Sequence, residues 1–139
     1  VRVPLKFAYT YTNATFLTTF ESAFAEWGSV EEGDRLPYLA PHQLFGSFGL
    51  ETDEWSLDVS ATYTAAMRTI AGSGSIPAGQ GTDSFLVLSI AGQKQVGRFG
   101  TLFASAQNLT NQTYVVARRP AGARPGLPRV LELGIRLQH

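Results

Sequence analysis

Alternation of apolar and polar residues recurs in six segments of the chain and limits the folds that it can adopt. Successive residues of a β-strand point to opposite faces, so a sheet with one apolar and one polar face needs this period of two. The alternating segments are residues 3–12, 42–51, 55–64, 83–92, 99–108 and 131–138. The sequence therefore predicts an all-β protein, an antiparallel up-and-down meander of about six strands.

The alternation is cleanest in the first, third and sixth segments. Their apolar positions are Val3, Leu5, Phe7, Tyr9 and Tyr11; Trp55, Leu57, Val59, Ala61 and Tyr63; and Leu131, Leu133, Ile135 and Leu137. In the second segment Phe45 falls on the parity opposite to Leu44 and Phe48, and the fourth and fifth segments carry apolar residues on both parities. Strands are predicted there too, but the side that each residue faces stays open.

The connections between the predicted strands alternate between long and short. Residues 20–41, 69–82 and 109–129 form long stretches rich in Gly and Pro, whereas the turns near Thr52 and at 92–97 are brief. Outer-membrane β-barrels have short periplasmic turns and long extracellular loops. We therefore expect the first, third and fifth strands to run outward, with all three long loops outside the cell.

Two aromatic residues of the third segment fit a membrane-spanning strand. Trp55 and Tyr63 share one parity, and at roughly 3.3 Å per residue they would lie about 26 Å apart along the strand, near the height of a barrel's apolar band. Tyr and Trp concentrate at membrane interfaces. The alternative is that both belong to the core of a sandwich.

Composition excludes several classes of protein. Lys plus Arg equals Asp plus Glu, 11 each, so no net field would attract nucleic acid, and the absence of Cys excludes thiolate metal sites and Cys nucleophiles. No apolar run approaches the roughly 18 residues of a transmembrane helix, and the N-terminus lacks a signal-peptide pattern. We expect the chain to be a piece of a longer exported protein.

About six strands are too few to close a barrel, since about eight are needed before side chains fill the interior. Open edges in lipid would leave backbone groups without hydrogen-bond partners. We therefore expect the remaining strands to come from a longer protein, or else the chain to form an oligomer or a different soluble fold.

The last forty residues follow a recognisable order. A strand runs into Asn108-Leu109, Tyr114 follows, a Gly/Pro/Arg loop ends in residues 125–129, and an alternating strand completes the chain. This order resembles the end of a TonB-dependent outer-membrane receptor. The runs 36–39, 67–69 and 114–126 are most similar to the ferric-dicitrate receptor branch.

The resemblance implies that residues 1–139 are the C-terminal part of a receptor barrel, without the plug domain and the earlier strands. It implies localisation in the bacterial outer membrane and import of a ferric chelate, either ferric citrate or a siderophore. The implied partners are the chelate, outer-membrane lipid and lipopolysaccharide, the rest of the barrel and its plug, and TonB through the missing N-terminal part. Iron would be cargo within the chelate, so no cofactor is expected.

The resemblance also implies a barrel-assembly signal in the last strand. Glu132, Gly134, Leu137 and His139 take the places of its polar residue, glycine and alternating apolar residues. The family usually ends in Phe or another large aromatic residue, so His139 departs from the pattern.

Arginines cluster in the last long loop, at Arg118, Arg119, Arg124 and Arg129. A guanidinium binds carboxylates through two parallel hydrogen bonds, so Arg118, Arg119 and Arg124 are candidate contacts for an anionic chelate. Arg129 adjoins the last strand and is the weakest candidate. Alternatively, these side chains contact lipopolysaccharide phosphates, pair with Glu31, Glu32 and Asp34 of another loop, or are solvated.

We predict no catalytic residues, no metal site and no enzymatic activity. His42 and His139 are far apart and lack a nearby pair of carboxylates, and catalytic or nucleotide-binding motifs are absent. The alternative function is that of a soluble β-sandwich that uses its long loops for recognition.

Overall fold

The computed structural model describes residues 1–98 and 100–137. Within them the chain forms strands and no helix, and in particular no helix long and apolar enough to cross a membrane. The strands are β1 Leu5–Tyr11, β2 Phe20–Glu21, β3 Ser29–Val30, β4 His42–Glu51, β5 Trp55–Thr64, β6 Phe85–Val96, β7 Gly100–Gln107, β8 Val115–Ala117, β9 Arg124–Pro125 and β10 Val130–Leu137.

Six of these strands form one antiparallel sheet, in the order β1-β4-β5-β6-β7-β10. Every neighbour in this sheet is also the next long strand along the chain, so the predicted six-stranded meander is confirmed. The sheet is open among the described residues, with β1 and β10 at its two edges.

The fourth predicted strand continues further than its alternation indicated. The run 92–97 was predicted as a turn, but β6 extends to Val96, and Lys94 pairs with both Trp55 and Leu102. The backbone hydrogen bonds of the neighbouring strands hold this polar run in the ladder. Gly97, with a φ of 61°, begins the turn instead. The start of the fifth predicted strand, Phe99, lies outside the described residues, and β7 is described from Gly100.

The register places apolar residues of all six strands on one face of the sheet, because directly paired residues share a face. Pairs across this face include Phe7 with Gly46, Phe48 with Val59, Val59 with Ile90, and Leu133 with Ala104. We call it the apolar face. It comprises Leu5, Phe7, Tyr9, Tyr11, His42, Leu44, Gly46, Phe48, Leu50, Trp55, Leu57, Val59, Ala61, Tyr63, Leu86, Leu88, Ile90, Gly92, Lys94, Val96, Gly100, Leu102, Ala104, Ala106, Leu131, Leu133, Ile135 and Leu137.

The sequence left open on which side of the sheet several residues of the second and fifth segments lie. The register places two of their aromatic residues on the opposite, polar face. Phe45 pairs with Ala8 and Thr62 there, and Phe103 pairs with Gln93 and Gly134. Aromatic side chains on a mostly polar face weaken the alternation of the second and fifth segments. The Phe103 ring covers Gly134, where an added Cβ would lie 2.2 Å from the ring carbon Cζ.

Candidate functional site

The three long connections leave the sheet at one end, because antiparallel strands joined by tight turns at the other end must return there. We call them loop 1 (residues 12–41), loop 2 (65–84) and loop 3 (108–129). The opposite end carries the tight turn at Thr52, whose hydroxyl oxygen accepts hydrogen bonds from the backbone N–H groups of Glu54 (3.3 Å) and Trp55 (3.0 Å). The predicted alternation of long and short connections is thus confirmed.

The interior of the described protein lies among the loops and not on the sheet. Apart from glycines, the buried residues are Val30, Ala40, Ala65, Tyr114, Asp34, Thr64, Arg68, Thr69, Thr82 and Asn108. All of them belong to the three loops except Thr64, which ends β5. The loops therefore pack into an ordered layer over one end of the sheet.

Backbone hydrogen bonds join loop 1 to loop 2. The N–H of Arg35 donates to the carbonyl of Gly72 (3.0 Å), and that of Tyr38 donates to the carbonyl of Arg68 (2.8 Å). The N–H of Ala71 donates to Glu26 (2.8 Å). These bonds fix the position of each loop relative to the other.

Loop 2 is joined to loop 3 through Asp83. Its backbone N–H donates to the carbonyl of Val115 (3.0 Å), and its carboxylate accepts from the N–H of Val115 (2.8 Å). Arg118 adds a hydrogen bond from Nε to the carbonyl of Gly81. All three loops are therefore held together by direct contacts.

Loop 3 is organised by two buried side chains, Asn108 and Tyr114, which in the sequence are notable only for the order that resembles a receptor's end. Asn108 has a φ of 50° and is 1% exposed, and its amide bonds to the backbone of Gln112 and Leu127. Tyr114 stacks on Phe85 with ring centroids 4.1 Å apart. Tyr114 holds the loop on the sheet through Phe85, and Asn108 joins three parts of the loop to one another, so loop 3 presents its arginines from a fixed base.

Two short hairpins within the loops were predicted only as irregular structure. The strands β2 and β3 pair in loop 1, and β8 and β9 pair in loop 3. Strands of two or three residues are too short to show a period of two. The second hairpin places Ala117 opposite Arg124 and brings Arg124 close to Arg119.

Two of the three predicted ligand contacts, Arg118 and Arg119, are half-buried, and the third, Arg124, is exposed. Arg118 is half-buried and holds the carbonyl of Gly81, as described above. Arg124 is exposed, and its Nη2 donates to the carbonyl of Arg119 at 3.3 Å. Arg129 is also exposed, and its backbone N–H donates to Asn111.

These arginines have no acidic partner among the described residues, where the one salt bridge joins Arg2 to Glu51 at 3.9 Å. The alternative pairing with Glu31, Glu32 and Asp34 is therefore not observed. The Asp34 carboxylate instead accepts from the backbone N–H of Glu31 at 2.9 Å. Arg119 and Arg124 thus remain available to an anion outside the chain.

An aromatic cluster in loop 1 was missed. Phe16, Phe20 and Phe24 surround Trp27 with centroid distances of 5.4 to 5.9 Å, all with edge-to-face geometry. Aromatic pairs of this geometry contribute packing energy beyond their buried area. Aromatic residues recur at nearly every fourth position from residue 16, and this spacing could have indicated the cluster.

The predicted assembly signal falls on both faces of β10. Glu132 accepts a hydrogen bond from the Ser105 hydroxyl (2.8 Å), and Gly134 lies under Phe103 on the same polar face. Leu137 lies on the apolar face opposite Gly100. His139 lies outside the described residues. Glu132 and Gly134 therefore have packing roles, and their part in assembly stays a prediction.

A concavity of about 700 Å³ forms a groove on the apolar face, where Gly92, Ala104 and Ala106 lie between larger side chains. Ligand sites need a few placed polar groups that fix orientation. Mainly apolar atoms line this groove, so we place the candidate site in the loop layer.

No protein-family profile and no curated protein sequence matches the chain. Among solved structures, the chain is similar to the ferric-catecholate import receptor Fiu from E. coli K12 in its closed form, with a TM-score of 0.72 and 23% sequence identity. The similarity covers 96% of this chain and 18% of that receptor. The chain therefore has the fold of a segment of a β-barrel receptor and spans about a fifth of that protein's length.

Proposed function

We propose that the chain is part of the barrel of an outer-membrane, TonB-dependent transporter that imports a ferric chelate, either ferric citrate or a siderophore. The observation that carries this proposal is the exposed apolar face, which extends across all six long strands. Phe7, Leu133 and Leu137 on this face are 75%, 83% and 72% exposed. A surface of this size and character suits the hydrocarbon of a membrane and would promote association in water.

The alternative, a soluble β-sandwich, is not favoured. A sandwich packs two sheets face to face and covers their apolar sides. Over the described ranges, the only other sheets are the two-stranded hairpins of the loops, and the apolar face of the six-stranded sheet has no second layer. The similarity to a receptor barrel accounts for this face without a covering sheet.

In the proposed transporter the strands hold the loop layer outside the cell, and loop 3 contributes to capture of the chelate. Arg119 and Arg124 supply guanidinium groups that no described acidic residue neutralises, and ferric citrate and many siderophores are anionic. The remainder of the barrel, the plug and TonB complete the transport path. The chelate passes intact, so no covalent step and no resident cofactor are part of the proposal.

The test is chelate binding by the full-length protein that contains this chain. A hydrogen bond to a charged group contributes about 1.5–3 kcal/mol, so the double variant Arg119→Ala/Arg124→Ala should bind ferric citrate or the cognate siderophore at least about tenfold more weakly. Arg129→Ala is the matched control and should bind normally. Arg118→Ala is measured separately, because it also loses the contact with loop 2. Unchanged affinity in the double variant would remove both residues from the site.

A further inference from the structure

A buried arginine in loop 2 lacks an acidic partner. Arg68 is 7% exposed, and its Nη2 donates to the carbonyl of Gly74 at 3.0 Å. A guanidinium has five N–H donors, and burial of a charge is costly unless the charge is paired. Among the described residues no carboxylate forms a salt bridge with Arg68.

A small cavity between loop 1 and loop 2 is lined in part by Arg68. Its volume is about 110 Å³, and Arg35, Arg68, Thr12 and Asn13 are among its lining residues. Since about 10–15 Å³ by the same measure is enough for one water molecule, an anion of several heavy atoms fits. None of the described lining residues is acidic.

The backbone around the cavity is fixed before any ligand arrives. The hydrogen bonds from Arg35 to Gly72 and from Tyr38 to Arg68 hold its two walls together. Gly72 leaves room for the guanidinium, because an added Cβ would lie 2.7 Å from Nη1 of Arg68. A preformed site loses less entropy on binding than a site that must be ordered first.

We infer that this cavity binds an oxyanion, a phosphate or carboxylate group, through Arg35 and Arg68. The bound anion pairs with the buried charge of Arg68 and joins loop 1 to loop 2. Arginine is suited to this task, because its planar fork matches the two oxygens of such a group. The site is separate from the arginines of loop 3 and does not depend on the proposed transport function.

Pyrophosphate binding to the full-length protein in detergent tests the inference, with chloride at equal ionic strength as the reference. Wild-type protein should bind pyrophosphate, and Arg35→Gln should weaken this binding about tenfold or more, since it removes a charge-assisted contact. Arg35 is exposed, so its replacement should leave the fold intact. Arg129→Gln removes an exposed arginine away from the cavity and should bind as the wild type does.

Arg68→Lys is the second variant. It keeps the positive charge but removes the planar guanidinium with its paired N–H donors, and it should also bind pyrophosphate more weakly. Absence of pyrophosphate binding above the chloride reference, or wild-type affinity in Arg35→Gln, would overturn the inference. Competition then identifies the source of the anion. Displacement of pyrophosphate by lipopolysaccharide indicates a lipid phosphate, displacement by ferric citrate indicates the carboxylates of a chelate, and displacement by neither indicates a free phosphate-type anion.

Discussion

The side-chain amide of Asn108 donates a hydrogen bond to the carbonyl of Leu127, 19 positions away, at 3.0 Å. The same nitrogen donates to the carbonyl of Gln112 at 2.9 Å, and Oδ1 accepts from the N–H of Gln112 at 2.9 Å. One side chain thus joins the beginning, the first turn and the end of loop 3.

Replacement of Asn108 by Ala should loosen loop 3. Three hydrogen bonds of about 1 kcal/mol each are lost, and Ala adopts the positive φ poorly. We therefore expect the folded loop to lose about 2–4 kcal/mol of stability. Asn108→Gly loses the same bonds, but glycine adopts the positive φ readily. The loss of stability should therefore be about 1 kcal/mol smaller than in Asn108→Ala. The measurement is the rate of trypsin cleavage after Arg118 and Arg129, since Arg119 and Arg124 precede proline and are not cleaved.

Thr110→Ala, at an exposed position of the same loop, is the control and should be cleaved at the wild-type rate. Equal cleavage of wild type and Asn108→Ala would show that these hydrogen bonds do not hold the loop.

Gly134→Ala should destabilise the sheet, because the new Cβ would lie 2.2 Å from Cζ of Phe103. Overpacking of this kind costs about 1–3 kcal/mol. The matched control is Gly46→Ala, where the nearest atom to the new Cβ is the backbone oxygen of Lys6 at 4.0 Å. Both free energies of unfolding are measured in urea.

A second substitution separates packing from assembly at Gly134. If packing against Phe103 is the reason for glycine there, Phe103→Leu should recover most of the stability lost in Gly134→Ala. A defect in insertion that persists in the double variant, at normal stability, would instead support the predicted assembly signal.

Val59→Arg should reduce the stability of the protein and its amount in the outer membrane far more than Ser60→Arg, although the two positions are adjacent. Val59 lies on the apolar face and Ser60 on the polar face. Arginine on the lipid side of a barrel strand costs about 2–4 kcal/mol at the membrane midplane, whereas a luminal arginine faces water. The measurements are the free energy of unfolding from lipid vesicles and the amount of protein in the outer membrane. Equal effects would argue against lipid contact of the apolar face.

The strands and their faces could be predicted where local alternation was strong. In β5 and β10 the period of two matched the observed register. The extension of β6 to Val96 could not be predicted in this way, because Gln93–Gln95 is polar and is held by hydrogen bonds to β5 and β7. Tertiary pairing therefore overrode the local pattern.

The loop layer was less predictable, because its contacts join residues far apart in sequence. The clustering of arginines in loop 3 was visible, but the bond from Arg118 to Gly81 spans 37 positions. Arg68 belongs to the run 67–69, which carried a resemblance to a receptor branch but no sign of burial, and only the folded arrangement buries it. Asn108 was visible as the end of a predicted strand, yet its bond to Leu127 depends on the path of the whole loop.

Cysteine labelling can determine on which side of the outer membrane each end of the sheet lies, since the chain has no cysteine of its own. Ser75 in loop 2 and Asp53 in the short turn are exposed and lie at opposite ends of the sheet. Each is changed to Cys in the full-length protein, and intact cells are treated with a maleimide reagent that does not cross the outer membrane. If the loops lie outside the cell, Ser75→Cys is labelled in intact cells and Asp53→Cys only after the outer membrane is opened. Labelling of Asp53→Cys in intact cells, with Ser75→Cys protected, would contradict this placement of the loops.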